Sequence, residues 1–254
     1  MTHRLKKEKN YSYIEAGEGT PIIVLHGLMG GLSNFDSVIK FFSGKGYKVI
    51  VPELPIYTKP LLKTNVKNFA KYLFDFIEFK GFEKVILLGN SLGGHIGLYH
   101  TKLHPEKVKA LIITGSSGLY ESAMGGGYTK RGDYEVIKKK AQDVFYDPAV
   151  ATKEIVDEVY QTVNDRNKLI KTLAIAKSAI RHNMAKDLPK MSTPTCIIWG
   201  KNDTVTPPEV AEEFHGLLPD SDLFWIDKSG HAAMMEHPDE FNQILDGWLQ
   251  KRRY

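Results

Sequence analysis

The chain has 254 residues, 42% hydrophobic and 25% charged, which fits one globular core with room for an inserted subdomain and does not require two independent domains. Its 34 basic and 30 acidic residues leave a net charge of +4, and along the chain the cations are scattered instead of forming a stripe interleaved with aromatics, so nucleic acid is not expected as a partner. A positive start, Met1 to Lys9, has no apolar run after it, and no stretch is long enough to span a bilayer; with a single cysteine, Cys196, in an apolar strand-like run, a reducing cytoplasm is expected and membrane insertion is not.

In chain order, a weak strand near His3 to Lys6 is followed by short apolar, β-branched runs at Ser12–Glu15, Pro21–Leu25, Lys48–Val51, Val85–Leu88 and Ala110–Thr114. Helical periods lie between them at Phe35–Phe42, Val66–Phe79 and Leu92–Leu103. The alternation then stops. Between about Gly118 and Lys190 there is a glycine-rich turn, Gly125 to Gly127, and three helical patterns, Asp133–Tyr146, Thr152–Val163 and Asn167–Met184. In the third, Leu169, Leu173, Ala176, Ile180 and Met184 form a narrow apolar stripe expected to face inward. Strands resume at Thr195–Trp199 and Leu223–Ile226, with helices at Pro208–His215 and from Pro238.

This order predicts an α/β fold: a mostly parallel eight-stranded sheet flanked by helices, built from residues 1–118 and 191–254, with a helical cap of residues 119–190 inserted after the sixth strand. A site at the sheet's C-terminal edge, covered by that cap as a lid, is the expected use of the insertion.

The chemistry is concentrated at strand ends. Ser91 lies in Gly89-Asn90-Ser91-Leu92-Gly93, between a strand and a helix, the context in which a nucleophilic serine sits on a sharp turn. Neighbours without Cβ atoms are needed there because the turn is tight. A serine hydroxyl needs a positioned base, and of nine histidines His231 follows the last strand and so emerges at the same edge of the sheet. His95 and His100 lie on the helix after Ser91 and are assigned to packing or surface. Asp203, after Thr195–Trp199, is the carboxylate expected to hold the base's tautomer, giving the chain order Ser91, Asp203, His231; the rival Asp227 reads as a turn residue. The backbone N–H of Leu92 is the first expected oxyanion donor, and that of Leu28 the second, with Met29 behind it; His26 is expected to brace that loop.

His26-Gly27, Gly89 to Gly94, the Gly200 to Asp203 turn and Gly230-His231 together resemble the α/β-hydrolase superfamily over nearly the whole chain. The resemblance implies a Ser-His-Asp hydrolase without metal or organic cofactor, acting on a small-molecule substrate, as a monomer or homodimer. A serine at the elbow separates it from the dehalogenases and epoxide hydrolases, which carry aspartate there. Asn90 and Glu236-His237-Pro238 also resemble the meta-cleavage product hydrolases, which cleave carbon–carbon bonds. Those enzymes commonly have tryptophan directly after the histidine, where this chain has Ala232, and many relatives have Asp-x-Pro-Gly-x-Gly where this chain has Glu53-Leu54-Pro55-Ile56-Tyr57. The expected activity is hydrolysis of a carboxylic ester through an acyl-enzyme. Carbon–carbon bond hydrolysis of a diketone acid is the first alternative and a slow-turnover ligand receptor the second. In the pocket, Arg166 is the candidate for a substrate carboxylate, with Arg181 and His182 behind it; Met29, Met124, Tyr128, Tyr134 and Ala232 are candidates for its walls.

Overall fold

A computed structural model describes residues 4–120 and 130–254. The expected Met124 and Tyr128, and the turn Gly125 to Gly127, lie outside those residues. Eight strands, β1 (Lys6–Glu8), β2 (Tyr11–Ala16), β3 (Thr20–Leu25), β4 (Tyr47–Pro52), β5 (Val85–Asn90), β6 (Val108–Thr114), β7 (Thr195–Gly200) and β8 (Ser221–Ile226), form one sheet in the order β1-β2-β4-β3-β5-β6-β7-β8. Only the pairings of β2 with β1 and β4 are antiparallel. The first strand starts later than the sequence suggests and is a short exposed edge.

Period-2 alternation in the parallel strands sorts apolar side chains onto two faces. Ile23, Leu25, Leu87, Leu111, Ile113, Ile197 and Trp199 meet α2 (Val66–Lys80), α3 (Leu92–Leu103) and α7 (Pro208–Leu217) on one face. Ile22, Val24, Ile86, Leu88, Ile112, Cys196 and Ile198 meet α1 (Asp36–Ser43), α8 (Ala233–Glu236) and α9 (Pro238–Lys251) on the other. Strands β3 and β5 are neighbours, yet the chain leaves β3 toward β4 on one side and β5 leads to β6 on the other. That divergence opens a crevice at their C-terminal ends, the place where open α/β sheets bind ligands. Among the described residues no helix is long and apolar enough to cross a membrane.

Between β6 and β7 lie α4 (Tyr134–Gln142), α5 (Lys153–Asn164) and α6 (Arg166–Arg181). The first ends four residues earlier than its periodicity predicts, because the Val144 carbonyl accepts from the His231 N–H and the Tyr146 and Asp147 N–H groups donate to the Glu236 carboxylate instead of continuing the helix. The third is rotated from the expected stripe: Leu169, Thr172, Ile175 and Ala179 are buried, and Leu173 and Ile180 are exposed. It stops at Arg181, and Met184 beyond it donates its N–H to the Gly118 carbonyl at 2.7 Å.

Glycine is required where α3 crosses the end of β3. A Cβ on Gly93 would stand 2.1 Å from the Leu25 carbonyl oxygen and 2.9 Å from that of His26, both backbone atoms with nowhere to move. Gly93→Ala is expected to cost about 3 kcal/mol or more, measured as a fall in the denaturant midpoint. Gly247→Ala, in α9 with nothing within 4 Å of the added carbon, is expected to raise stability by up to about 1 kcal/mol.

Candidate active site

Ser91 forms the turn between β5 and α3 with φ 54° and ψ −120°, a left-handed conformation costing a non-glycine residue on the order of 1–3 kcal/mol. Several bonds hold it there. Its N–H donates to the Thr114 carbonyl at 3.1 Å, and its own carbonyl accepts from the N–H groups of His95 and Ser117, both at 3.2 Å. The elbow is therefore stitched to β6 and to the segment leaving β6, and that backbone strain is opposed by three bonds. Its glycines allow the approach: a Cβ on Gly89 would lie 2.4 Å from the Gly94 nitrogen, and one on Gly94 2.4 Å from the Ser116 hydroxyl.

His231, on the loop after β8, is fixed from several sides. Its Nδ1–H donates to Asp203 Oδ2 at 2.9 Å, leaving Nε2 as the basic nitrogen. Its backbone N–H donates to the Val144 carbonyl at 2.9 Å, and its carbonyl accepts from the Asn90 amide at 3.1 Å. The ring packs on Gly115, where a Cβ would stand 2.9 Å from Nδ1. Asp203, on the turn after β7, is buried and fully engaged: Oδ1 accepts from the N–H groups of Val205 (2.8 Å) and Thr206 (2.9 Å), and Oδ2 accepts from the Thr206 hydroxyl (2.8 Å) as well as from the imidazole. The rival Asp227 is exposed and lies 3.7 Å from Lys201.

The turn after β3 runs directly against the elbow; a Cβ on Gly27 would be 3.2 Å from the Ser91 Cβ. Within it the Gly30 N–H donates to the Gly27 carbonyl at 3.3 Å, and Met29 takes φ 58°. This bond leaves the Leu28 N–H outside the turn's own pairing. The Leu92 N–H is the first amide of α3, which the helix cannot satisfy and whose end carries positive partial charge. His26 braces the turn: its Nε2 accepts from the Leu54 N–H at 2.9 Å and its Nδ1–H donates to the Gly27 carbonyl at 2.9 Å. Burial pushes its pKa down, keeping the imidazole neutral so that one nitrogen can accept while the other donates.

Ser91 and His231 open into one cavity of about 510 Å³, whose other walls are Leu28, Met29 and Asn34 after β3, Ala232 from the histidine loop and Met235 from α8, Val144 and Phe145 after α4, and Ile155 and Val159 from α5. Three charged residues, Lys140, Asp143 and Glu158, also line it. Of the residues expected in the pocket, Leu28, Met29 and Ala232 are brought to it. Arg166 and Arg181 are not: both are exposed on α6, at its first and last positions, and neither reaches the lining. His182 bonds His95 at 2.9 Å instead, and Tyr134 bonds Asp157 at 2.7 Å. His95 and His100 are buried within the packing of α3.

One residue here escapes sequence reasoning as part of the site's support. Glu236, at the end of α8, accepts the Gly230 N–H on one oxygen and the N–H groups of Tyr146 (2.7 Å) and Asp147 (3.0 Å) on the other. With the His231–Val144 bond, and with the Thr204 hydroxyl donating to the Asp143 carbonyl at 3.1 Å, it fastens the α4–α5 connection to both the loop that carries Asp203 and the loop that carries His231. A proline two positions on marks the start of α9 in the sequence, but nothing marks these donors. Glu236→Gln places an amide donor against either Gly230 or the Tyr146–Asp147 pair. It is expected to lower kcat about tenfold, the worth of one charge-assisted bond (~1.5 kcal/mol), with a smaller effect on KM, read from steady-state kinetics on a soluble ester.

A family model described as the alpha/beta hydrolase fold matches residues 20–132 and 148–238. The 2-hydroxy-6-oxo-6-(2'-aminophenyl)hexa-2,4-dienoic acid hydrolase of Metapseudomonas resinovorans is 30% identical, covering 94% of this chain and 87% of its own. A 2-hydroxy-6-oxononadienedioate/2-hydroxy-6-oxononatrienedioate hydrolase of a Pseudomonas species is 27% identical over 93% and 90% of the two chains. Among solved structures, an alpha/beta hydrolase enzyme from the metagenome of lagoon sediments at Mar Chica, Morocco, is 63% identical with a TM-score of 0.83, over 99% of this chain and all of the other.

Proposed function

We propose that this chain, which belongs to the α/β-hydrolase fold family, is a serine hydrolase that cleaves carboxylic esters through an acyl-enzyme. His231 Nε2 takes the Ser91 proton as Oγ attacks the carbonyl, and Asp203 stabilises the imidazolium that forms. The Leu28 and Leu92 amides receive the oxyanion; the alcohol leaves with the proton from His231, and water attacks the acyl-enzyme by the same route. The observation that carries this reading is the His231 Nδ1–Asp203 Oδ2 bond of 2.9 Å in a histidine that opens with Ser91 into one cavity.

The helices between β6 and β7 act as a cap in this reading, since α4, α5 and the connection between them supply 8 of the 22 residues that line the cavity. Apolar Phe145, Ile155, Val159 and Met235 fit a neutral acyl or alcohol group of small to medium size, given the volume of about 510 Å³.

A second reading is favoured by the names of the relatives, which are hydrolases of 2-hydroxy-6-oxo dienoic and trienoic acids. The same serine and histidine would then act on a carbon–carbon bond next to a ketone. Such a substrate brings a carboxylate, and Lys140, which lines the cavity along with Asp143 and Glu158 of opposite sign, is the cation proposed to meet it. Aryl esters graded by acyl length, assayed beside one ring-cleavage dienoic acid, separate the two. Ester kcat/KM exceeding that for the dienoate supports the first reading. A dienoate preference that collapses in Lys140→Ala overturns it in favour of the second.

A further inference from the structure

We propose that the outer face of α6, with the segment leading from β4 into α2, docks on an anionic lipid surface. Cations that are scattered along the sequence are gathered here. Residues 59–71 contain four lysines and no acid, and residues 166–181 contain three lysines and two arginines and no acid. Removing those nine leaves 25 cations against 30 acids in the rest of the chain, so the excess positive charge belongs to these two segments. Lys71 is partly neutralised by Asp75 at 2.9 Å.

The fold sets the two segments side by side. Lys171 donates to the Tyr57 carbonyl at 2.7 Å, the Tyr57 and Thr172 hydroxyls are 3.4 Å apart, and the Val66 N–H donates to the Ser178 hydroxyl at 3.2 Å. Contact therefore extends along α6 from its middle toward its C-terminal end.

Aliphatic side chains stand among these cations. Leu62 is 93% exposed and Leu61 45%, on the turn before α2; Ile170, Leu173 and Ile180 are 41%, 40% and 51% exposed on α6. Along that helix the exposed positions Arg166, Ile170, Leu173, Lys177 and Arg181 recur at three- and four-residue spacing, one continuous stripe. Apolar side chains mixed with cations on a helix that lies flat suit the boundary between lipid headgroups and acyl chains, and lysines near anionic headgroups add attraction. Single-stranded nucleic acid would call for aromatic platforms among the cations, and the exposed apolar side chains here, Leu61, Leu62, Ile170, Leu173 and Ile180, are aliphatic. The opposite face of α6, with Thr172, Ile175 and Ala179, packs inward, and α6 contributes no residue to the active-site cavity. Docking is thus independent of which bond the enzyme cleaves.

The test is co-sedimentation of the full chain with vesicles of phosphatidylcholine alone and of phosphatidylcholine and phosphatidylglycerol in equal parts. Binding is expected to the mixed vesicles at low salt and to fall at least about tenfold at high salt. The double variants Leu62→Ser with Leu173→Ser and Lys63→Glu with Lys177→Glu, each melting as the parent does, are each expected to bind at least about tenfold more weakly. Equal binding to both vesicle types, no binding to the mixed vesicles, or undiminished binding by the charge-reversed variant would overturn the proposal, as would binding to single-stranded RNA without binding to the mixed vesicles.

Discussion

Ser91→Ala is expected to abolish labelling by a fluorophosphonate probe and to lower kcat by on the order of 10⁶, the loss typical when the nucleophile of such a set is removed. The structure makes the substitution informative because the conformation of residue 91 is held by bonds to its backbone, from Thr114, His95 and Ser117, and not by its hydroxyl. Alanine meets the same left-handed strain as serine, so the fold and the cavity are expected to survive and the melting midpoint to stay close to that of the parent. Intact-mass measurement after probe treatment reads the result directly: one phosphonyl adduct on the parent, none on the variant. An adduct retained by Ser91→Ala would remove Ser91 from the nucleophile's role whatever the substrate.

Asp203→Asn carries the second largest expected effect, a fall of about 10⁴ in kcat, as when a triad carboxylate is replaced by its amide. The reason lies in where each oxygen is spent. Oδ1 receives two backbone N–H groups, from Val205 and Thr206, so an asparagine keeps its carbonyl oxygen there and turns its amide toward His231. An amide N–H facing Nδ1 requires that nitrogen to accept, which places the ring proton on Nε2, the atom needed as the base toward Ser91. The carboxylate's charge is also lost. Because the backbone bonds remain, stability should change little while kcat falls, and an unchanged kcat in Asp203→Asn would transfer the supporting role to another group. Kinetics with one activated ester, together with a thermal melt, measures both.

The strands and the ends that carry Ser91, Asp203 and His231 were legible because a buried parallel strand must be apolar on both faces. That requirement leaves runs such as Val85 to Leu88 and Thr195 to Trp199 standing out from their surroundings. The parallel core and the placement of three polar residues after β5, β7 and β8 follow from that signal, whereas the exposed edge strand β1 carries none of it and its start was misplaced. The inserted helices gave no comparable signal. Their apolar residues divide between two small clusters, Ile137 with Val163 and Leu169, and Ala141 with Ala151 and Val156, the main core, which takes Ile175 and Ala179, and the wall of the cavity. Apolar character alone does not separate packing from lining, so Ile155 and Val159 were not distinguished, and Lys140, Asp143 and Glu158 lie on a face that periodicity would place outside. On α6 the stripe was misassigned because a threonine, Thr172, takes an inward position through its hydroxyl contact with Tyr57, while leucine and isoleucine at Leu173 and Ile180 remain in water. Glu236 drew notice only within Glu236-His237-Pro238, and its bracing role did not show for a different reason: its partners are main-chain N–H groups, one on Gly230 and two on Tyr146 and Asp147 some ninety residues away, which leave no trace in side-chain identity.

The connection from Asp143 to Asp147 also bears on how such enzymes diversify. A segment fastened to the Asp203 loop through Thr204, to the loop after β8 through His231 and to α8 through Glu236 belongs mechanically to the sheet, although in chain order it belongs to the insertion. Recombination that exchanges everything between β6 and β7 would remove the Val144 carbonyl that holds the His231 main chain, together with the helices that line the cavity. Grafts that keep residues 143–147 and exchange the helices on either side would leave His231 its main-chain anchor, so the permissible crossover points lie inside the insertion and not at its ends.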